Sequence, residues 1–131
     1  MPENITSKEM AEASYLPSEK RYQHFIEQVG EQQSLWSLKD ADGWCTVANE
    51  KDQICFPVWP DAQYASAWAV GEFASCIPIE ISVHEWLGQL HKAAVNCRWK
   101  IAVFPTNEDP GELIEPNRFA KDLESRQSKY E

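Results

Sequence analysis

Apolar residues recur at helical spacing early in the chain. The positions i, i+3, i+4 and i+7 counted from residue 22 are all apolar: Tyr22, Phe25, Ile26 and Val29. Because these positions share one face of a helix, the pattern predicts an amphipathic helix that follows Pro17. Ser18 is the expected N-cap of this helix, and Gly30 is the expected stop at its C-terminal end.

Three short runs with the alternation typical of β-strands come next. They cover residues 35–38, 44–48 and 53–58, and short polar turns join them. Loops this short connect antiparallel neighbours, so the pattern predicts a three-stranded meander. Pro57 has no amide hydrogen for a β-ladder, and we therefore expect it to end the third strand.

Helices and strands alternate in the second half of the chain. The pattern predicts helices over residues 61–73 and 82–95, strands over 77–81 and 99–104, and a short final helix that Pro116 opens. Asp61 is the expected N-cap of the first of these helices, and Ser82 forms a capping box with Glu85 at the start of the second. Pro78 favours a sheet edge for the strand that contains it.

The order of these elements, α-β-β-β-α-β-α-β-α, sets the expected fold class. It predicts a single α+β domain in which helices pack on one mixed, largely antiparallel sheet of about five strands. A chain of 131 residues is long enough to bury a core. We expect residues 1–16 to form a mobile lead-in, residues 17–124 to form the domain and residues 125–131 to form a polar tail.

The sequence shows no segment typical of membrane or secreted proteins. No apolar run approaches the roughly 20 residues that span a bilayer. Residues 1–14 carry several glutamates and lack the apolar core of a signal peptide. We therefore expect a cytoplasmic protein that does not associate with a membrane.

The four cysteines are Cys45, Cys55, Cys76 and Cys97, and their spacing fits no zinc-binding or redox motif. Cys45 and Cys55 lie on neighbouring strands of the predicted meander, so a disulfide between them is geometrically conceivable. Because the cytoplasm is reducing, we expect buried thiols that pack as small apolar groups instead.

Acidic residues outnumber basic ones along the whole chain. Twelve Lys and Arg residues stand against 21 Asp and Glu residues, which gives a formal net charge of −9. No basic stripe is present to neutralise phosphates, so we expect no binding to nucleic acid. An acidic surface keeps a protein soluble and favours a basic partner.

No residue pattern predicts a catalytic or cofactor site. His84 and His91 are seven positions apart on one predicted helix, which separates them by about 10 Å along the axis, too far to share one metal ion. The cysteines have no glycine-flanked elbow, and no phosphate loop, dinucleotide fingerprint or Gly-x-Ser-x-Gly is present. We therefore expect no catalytic residue, no cofactor and no bound metal.

Several short motifs carry a family resemblance. They are Leu35-Trp36, Asp42-Gly43, Phe56-Pro57-Val58-Trp59-Pro60 with Ala65 and Trp68, and Val103-Phe104-Pro105. With these motifs, residues 21–123 resemble the bacterial domain-of-unknown-function 2750 family. A strand that ends in Pro-Val-Trp before an Ala-rich helix is also loosely similar to the N-terminal domain of enhanced-serine-sensitivity proteins. The resemblance implies a small cytosolic bacterial protein, and it brings no established catalytic residues.

The tryptophans supply the candidate binding residues. Trp68 and Trp86 lie on the apolar stripes of their predicted helices and are expected in the core. Trp44 follows a turn glycine, and Trp59 lies just past Pro57, the proline expected to end its strand, so both are candidates for partial exposure. Tryptophan is enriched in binding hot spots. The alternative is that Trp44 and Trp59 close the rim of the core.

Two functional hypotheses follow from these patterns. The first is a non-enzymatic protein-interaction or regulatory module, for example an immunity-type inhibitor of a basic partner. The rival is a small-molecule binder or enzyme with a pocket beside Trp59, Asp61 and Tyr64. A concave pocket that holds a titratable residue of shifted pKa favours the rival, and a flat acidic face favours the first hypothesis.

Overall fold

Seven strands, four helices and a short 3₁₀ helix (Gly71–Phe73) form the fold of residues 16–49, 51–106 and 109–130, the part of the chain that the computed structural model describes. The helices are α1 (Ser18–Gln32), α2 (Ala62–Trp68), α3, which runs through the consecutive segments Val83–Glu85, Trp86–Leu90 and His91–Asn96, and α4 (Pro116–Tyr130). The strands are β1 (Ser34–Asp40), β2 (Gly43–Trp44), β3 (Val47–Ala48), β4 (Ile54–Val58), β5 (Ile77–Ser82), β6 (Lys100–Val103) and β7 (Glu112–Ile114). Apart from Leu16, the expected mobile lead-in lies outside the described residues.

The strands form two sheets. One has the order β2-β1-β5 and the other has the order β3-β4-β6-β7. The pairing of β4 with β6 is parallel, and the other strand pairs are antiparallel. The predicted single α+β domain with a mixed, largely antiparallel arrangement is confirmed. The strands number seven where about five were expected, and they are divided between two sheets.

The division arises in the second run of the expected meander. Its first half, β2, pairs with β1 and places Trp44 opposite Lys39. Its second half, β3, pairs with β4 and places Val47 opposite Cys55. Cys45 and Thr46 lie between the halves, outside both strands. One alternating run therefore contributes an edge to each sheet, which the alternation alone does not reveal.

Pro57 lies inside β4, so the expectation that it ends the strand is wrong. The carbonyl oxygen of Val58 accepts from the amide of Phe104, next to β6, at 2.8 Å. Because successive residues of a strand face opposite edges, the nitrogen of Pro57 faces away from β6. There its carbonyl oxygen accepts from Ser37 Oγ at 2.6 Å. The missing amide hydrogen thus removes no bond from the β4–β6 ladder.

Helix α1 begins and ends differently from the expectation. Pro17 is its N-cap and makes no side-chain capping bond, while Ser18 Oγ donates to Glu112 Oε1 at 2.7 Å. The helix continues past Gly30 to Gln32. Gln33 then adopts the left-handed conformation with φ 61°, and its amide donates to the carbonyl of Val29 at 2.7 Å. A closing bond of this kind satisfies a helix end without glycine.

The other helix starts follow the sequence closely. Asp61 Oδ1 accepts from the amide of Gln63 at 3.0 Å, and Ser82 Oγ accepts from the amide of Glu85 at 3.0 Å. Both N-caps are therefore confirmed. Residues 125–131 were expected to form a polar tail, and the structure continues α4 through Tyr130.

The core is formed by residues of the helices and of both sheets. Phe25 on α1 packs against Phe119 on α4, with ring centroids 5.7 Å apart. Trp86 on α3 contacts both Phe119 and Phe56, at 5.3 and 5.6 Å, and its side chain is fully buried. Pro78 lies in β5, an edge strand, as predicted. Within the described residues, no helix combines the length and the apolar character needed to cross a bilayer.

Candidate functional site

Trp59 is part of the core. Its side chain has no exposed surface, and its indole N–H donates to the carbonyl oxygen of Pro105 at 2.9 Å. The ring of the half-buried Trp68 packs on it with centroids 5.3 Å apart. The candidate binding residue Trp59 therefore offers no side-chain surface to a partner. Its position agrees with the alternative, in which Trp59 helps to close the core.

Tyr64 and Asp61 also serve the strand-to-helix junction. Tyr64 is 5% exposed and packs on Phe104 with ring centroids 4.6 Å apart. Asp61 is half-buried and uses one carboxylate oxygen to cap α2. Trp59, Asp61 and Tyr64 all lie at this junction, and their side chains contact Pro105, Gln63 and Phe104, respectively.

Of the two candidate tryptophans, Trp44 keeps an exposed part. It is half-buried, and its ring meets the ring of Phe56 edge-on at 5.3 Å. Lys39 Nζ lies over the Trp44 ring at 4.6 Å from the centroid, which is the geometry of a cation–π contact. Trp44 therefore joins the core on one side and presents a cation-compatible surface on the other.

A surface depression of about 510 Å³ surrounds Trp44. We call it the Trp44 depression; its lining includes Asp40, Asp42, Trp44, Phe73, Cys45 and Cys76. Asp40 and Asp42 are exposed, and Asp40 Oδ1 accepts from the amide of Asp42 at 2.8 Å. This side-chain bond fixes the turn between β1 and β2, so the two carboxylates lie at the edge of the depression.

Cys45 and Cys76 form a disulfide, with Cα atoms 6.9 Å apart. The expectation of four reduced thiols is therefore wrong, and Cys45 does not pair with Cys55, which is free and buried. Sheet register explains the pairing. Trp44 and Ile77 pair with the same residue, Lys39, from opposite sides of β1. Their chain neighbours Cys45 and Cys76 can then meet across the end of that strand.

The comparison with protein families matches most of the chain. A family profile described as "Protein of unknown function (DUF2750)" matches residues 22–123. The chain belongs to this family. The match confirms the resemblance carried by the Pro-Val-Trp-Pro block, which lies inside the matched residues. No curated protein and no solved structure matches the chain.

The remaining thiols and two of the imidazoles of this DUF2750 protein differ in exposure and in partners. Burial raises the pKa of the Cys55 thiol, and the nearby Lys100 offsets only part of that effect, so the thiol stays protonated near neutral pH. Cys97 is exposed. His84 is exposed on α3, and His91 Nε2 pairs with Asn117 Oδ1 at 2.8 Å.

One charged residue of the DUF2750 chain has a structural role that the sequence patterns missed. Arg21 is 3% exposed, and its Nε and Nη1 donate to the carbonyl oxygens of Phe104 and Leu16 at 3.1 and 2.6 Å. Its Nη2 lies 2.9 Å from Asp109 Oδ1, an ion-pair contact without hydrogen-bond alignment. Arg21 thus links α1 by a hydrogen bond and an ion pair to the segment after β6. Its position on the helix gave no signal of these distant partners.

Proposed function

We propose that this protein is a non-enzymatic protein-interaction module of the cytoplasm, and that the Trp44 depression binds a basic segment of a partner protein. An immunity-type inhibitor of a basic protein is one form that such a module takes. The observation that carries the proposal is the position of Trp44, half-exposed beside two acidic side chains.

The chemistry of the depression fits a partner with Lys or Arg side chains. The Trp44 ring already accommodates the ammonium group of Lys39 at 4.6 Å. A cation from a partner can use the same ring, since aromatic faces attract cations. Asp40 and Asp42 add negative charge at the edge, in a protein whose formal net charge is −9. Charge complementarity of this kind speeds association and selects the partner.

Apolar surface continues from the depression. Ile77 follows Cys76 in the chain and is 59% exposed. Phe73 is half-buried within the depression itself. A tryptophan surrounded by apolar and charged neighbours resembles the composition of binding hot spots. The alternative pocket beside Trp59, Asp61 and Tyr64 has less support, because Trp59 and Tyr64 are buried and Asp61 caps a helix.

The test is affinity capture from a native bacterial lysate with the full chain on beads, followed by mass spectrometry. We expect a captured protein with a basic surface, and we expect Trp44→Ala and the double variant Asp40→Asn/Asp42→Asn to lose it. Asp52→Asn is the control, because Asp52 is also exposed in a turn but lies outside the lining of the depression.

Stability of each variant is measured in parallel by urea denaturation. If both depression variants fold and still capture the same protein as the wild type, the proposal is wrong. If Asp52→Asn loses the partner equally, the capture depends on the net negative charge of the protein and not on the Trp44 depression.

A further inference from the structure

We propose that Asp40, Cys45 and Cys76 form a Zn²⁺ site when the Cys45–Cys76 disulfide is reduced. The inference goes beyond binding of a basic partner and does not depend on it. Its basis is a cluster in which each of the three residues offers one ligand atom, with these atoms within 4.8 Å of one another.

The three ligand atoms can reach the spacing that a tetrahedral zinc ion requires once the disulfide is open. With Zn–S near 2.3 Å and Zn–O near 2.1 Å, two thiolates are about 3.8 Å apart, and a thiolate and a carboxylate oxygen are about 3.6 Å apart. The Cα atoms of Cys45 and Cys76, at 6.9 Å, allow their sulfurs to reach that separation by side-chain rotation. The Asp40 oxygen lies within 4.8 Å of either sulfur, so it needs a shift of at most about 1.2 Å, which an exposed side chain can make.

The backbone holds the cluster together when the disulfide is open. The amide of Cys45 donates to the carbonyl of Leu38 at 2.9 Å, and the amide of Cys76 donates to the carbonyl of Phe73 at 3.0 Å. Asp40 belongs to β1, the strand that pairs with both neighbouring strands. The ligands are therefore positioned by sheet register and by a tight turn. Preorganised ligands favour metal binding because less freedom is lost when the ion arrives.

An ordinary dithiol can reduce the disulfide and so open the site. A dithiol reductant transfers two electrons and two protons to the disulfide, is itself oxidised to a disulfide, and leaves Cys45 and Cys76 as thiols. Zn²⁺ then displaces one proton from each thiol, and both protons pass to solvent. The Asp40 carboxylate is the third ligand, and water completes the tetrahedron. Reduction of this kind occurs in the reducing cytoplasm, the compartment that we propose for the protein.

The donor set selects among metals. Two thiolates favour Zn²⁺ and other thiophilic ions over Mg²⁺ and Ca²⁺, which prefer oxygen ligands. Cys45 and Cys76 are 5% and 7% exposed, while Asp40 is exposed. The ion therefore has a route from solvent through the Trp44 depression, and the thiolates are shielded once it is bound.

The experiment uses the full chain with Cys97→Ser, which removes the exposed free thiol. The protein is reduced with a phosphine, freed of reductant without oxygen, and titrated with Co²⁺, whose thiolate charge-transfer absorption reports sulfur coordination. Zn²⁺ is then added as a competitor. We expect one Co²⁺ per chain, its displacement by Zn²⁺, and no such absorption in the oxidised protein.

Matched variants identify the ligands. Cys45→Ser should abolish the absorption, and Asp40→Asn should weaken Zn²⁺ binding by at least about tenfold, since even groups that only support a metal ligand contribute tenfold or more. Asp42→Asn is the control and should change the affinity by less than about twofold. Asp40 and Asp42 are both exposed, so these two variants test the site even if Cys45→Ser fails to fold.

Three results overturn the proposal. In the first, the reduced protein shows no thiolate absorption with Co²⁺, which means that the thiols only pack as small apolar groups. In the second, folded Cys45→Ser retains the absorption. In the third, Asp40→Asn and Asp42→Asn bind Zn²⁺ equally well.

Discussion

Trp36 and Trp59 exchange both backbone hydrogen bonds, at 2.9 and 2.8 Å, and this bridge joins β1 to the residue that follows β4. The two sheets are therefore continuous at one point. The side chain of Trp59 is buried there and bonded to Pro105. Backbone and side chain of one residue thus fix the relative position of both sheets and of the segment after β6.

Trp59→Ala should lower the free energy of unfolding by roughly 3–5 kcal/mol, the usual cost of removing a large buried ring. Trp59→Phe should lower the free energy of unfolding by about 1–3 kcal/mol in addition to the loss from the smaller ring, because the Pro105 carbonyl loses its donor. Urea denaturation measures both values. Trp44→Ala is the comparison and should cost less than Trp59→Ala, since Trp44 is half-exposed. Equal costs at the two positions would contradict an exposed role for Trp44.

Local chemistry was predictable from the sequence. The stripe that starts at Tyr22 forms α1, and the caps at Asp61 and Ser82 are present. In each case the partners are a few residues apart, so their geometry depends on one helix alone. The α+β class followed from the order of such local elements.

Pairings between distant residues were not predictable. Whether Pro57 ends a strand depends on which edge its nitrogen faces, and that is set by β6, more than forty residues later. The disulfide needs the register of β1 with both β2 and β5. The same holds for the candidate site. Trp59 is buried and bonds to Pro105, 46 residues later, and the cluster around Asp40 and Cys76 has no sequence spacing that marks it.

Asp61→Ala should lower the free energy of unfolding by about 0.5–2 kcal/mol, because the amide of Gln63 loses its capping acceptor. Asp61→Asn should keep nearly all of the stability, since an asparagine oxygen caps equally well. Thermal denaturation of the two variants checks this. A loss in Asp61→Asn as large as in Asp61→Ala would mean that the negative charge, and not the hydrogen bond, is what stabilises the junction.

Gly111→Ala should be strongly destabilising, by about 3 kcal/mol or more, from left-handed strain plus overpacking. Gly111 has φ +80°, and a Cβ atom there would lie 2.5 Å from the carbonyl oxygen of Val103. Gly71 is the matched control, with φ +62° and no atom within 4 Å of an added Cβ. Gly71→Ala should cost only about 1–2 kcal/mol, the strain alone. Similar losses in urea denaturation would show that β7 moves to accommodate the methyl group.

Stability above pH 10 should depend on Tyr22. Burial raises the pKa of the Tyr22 hydroxyl well above its ordinary value of about 10, and Asp122 raises it further by accepting the hydroxyl hydrogen and repelling the phenolate. Above about pH 10 the unfolded chain releases this proton while the folded protein keeps it. The stabilising effect is therefore complete below that pH and is lost as the pH rises towards the folded-state pKa.

Tyr22→Phe isolates this effect, because every other titrating group is shared with the wild type. At pH 8 the variant should be less stable by about 0.5–1.5 kcal/mol, since the hydrogen bond to Asp122 is missing. The difference should shrink steadily from pH 10 to pH 11, because only the wild type loses stability through residue 22. Urea denaturation at half-unit intervals from pH 8 to pH 11 measures the two curves. Parallel curves over that range would mean that Tyr22 ionises as readily in the folded protein as in the unfolded chain.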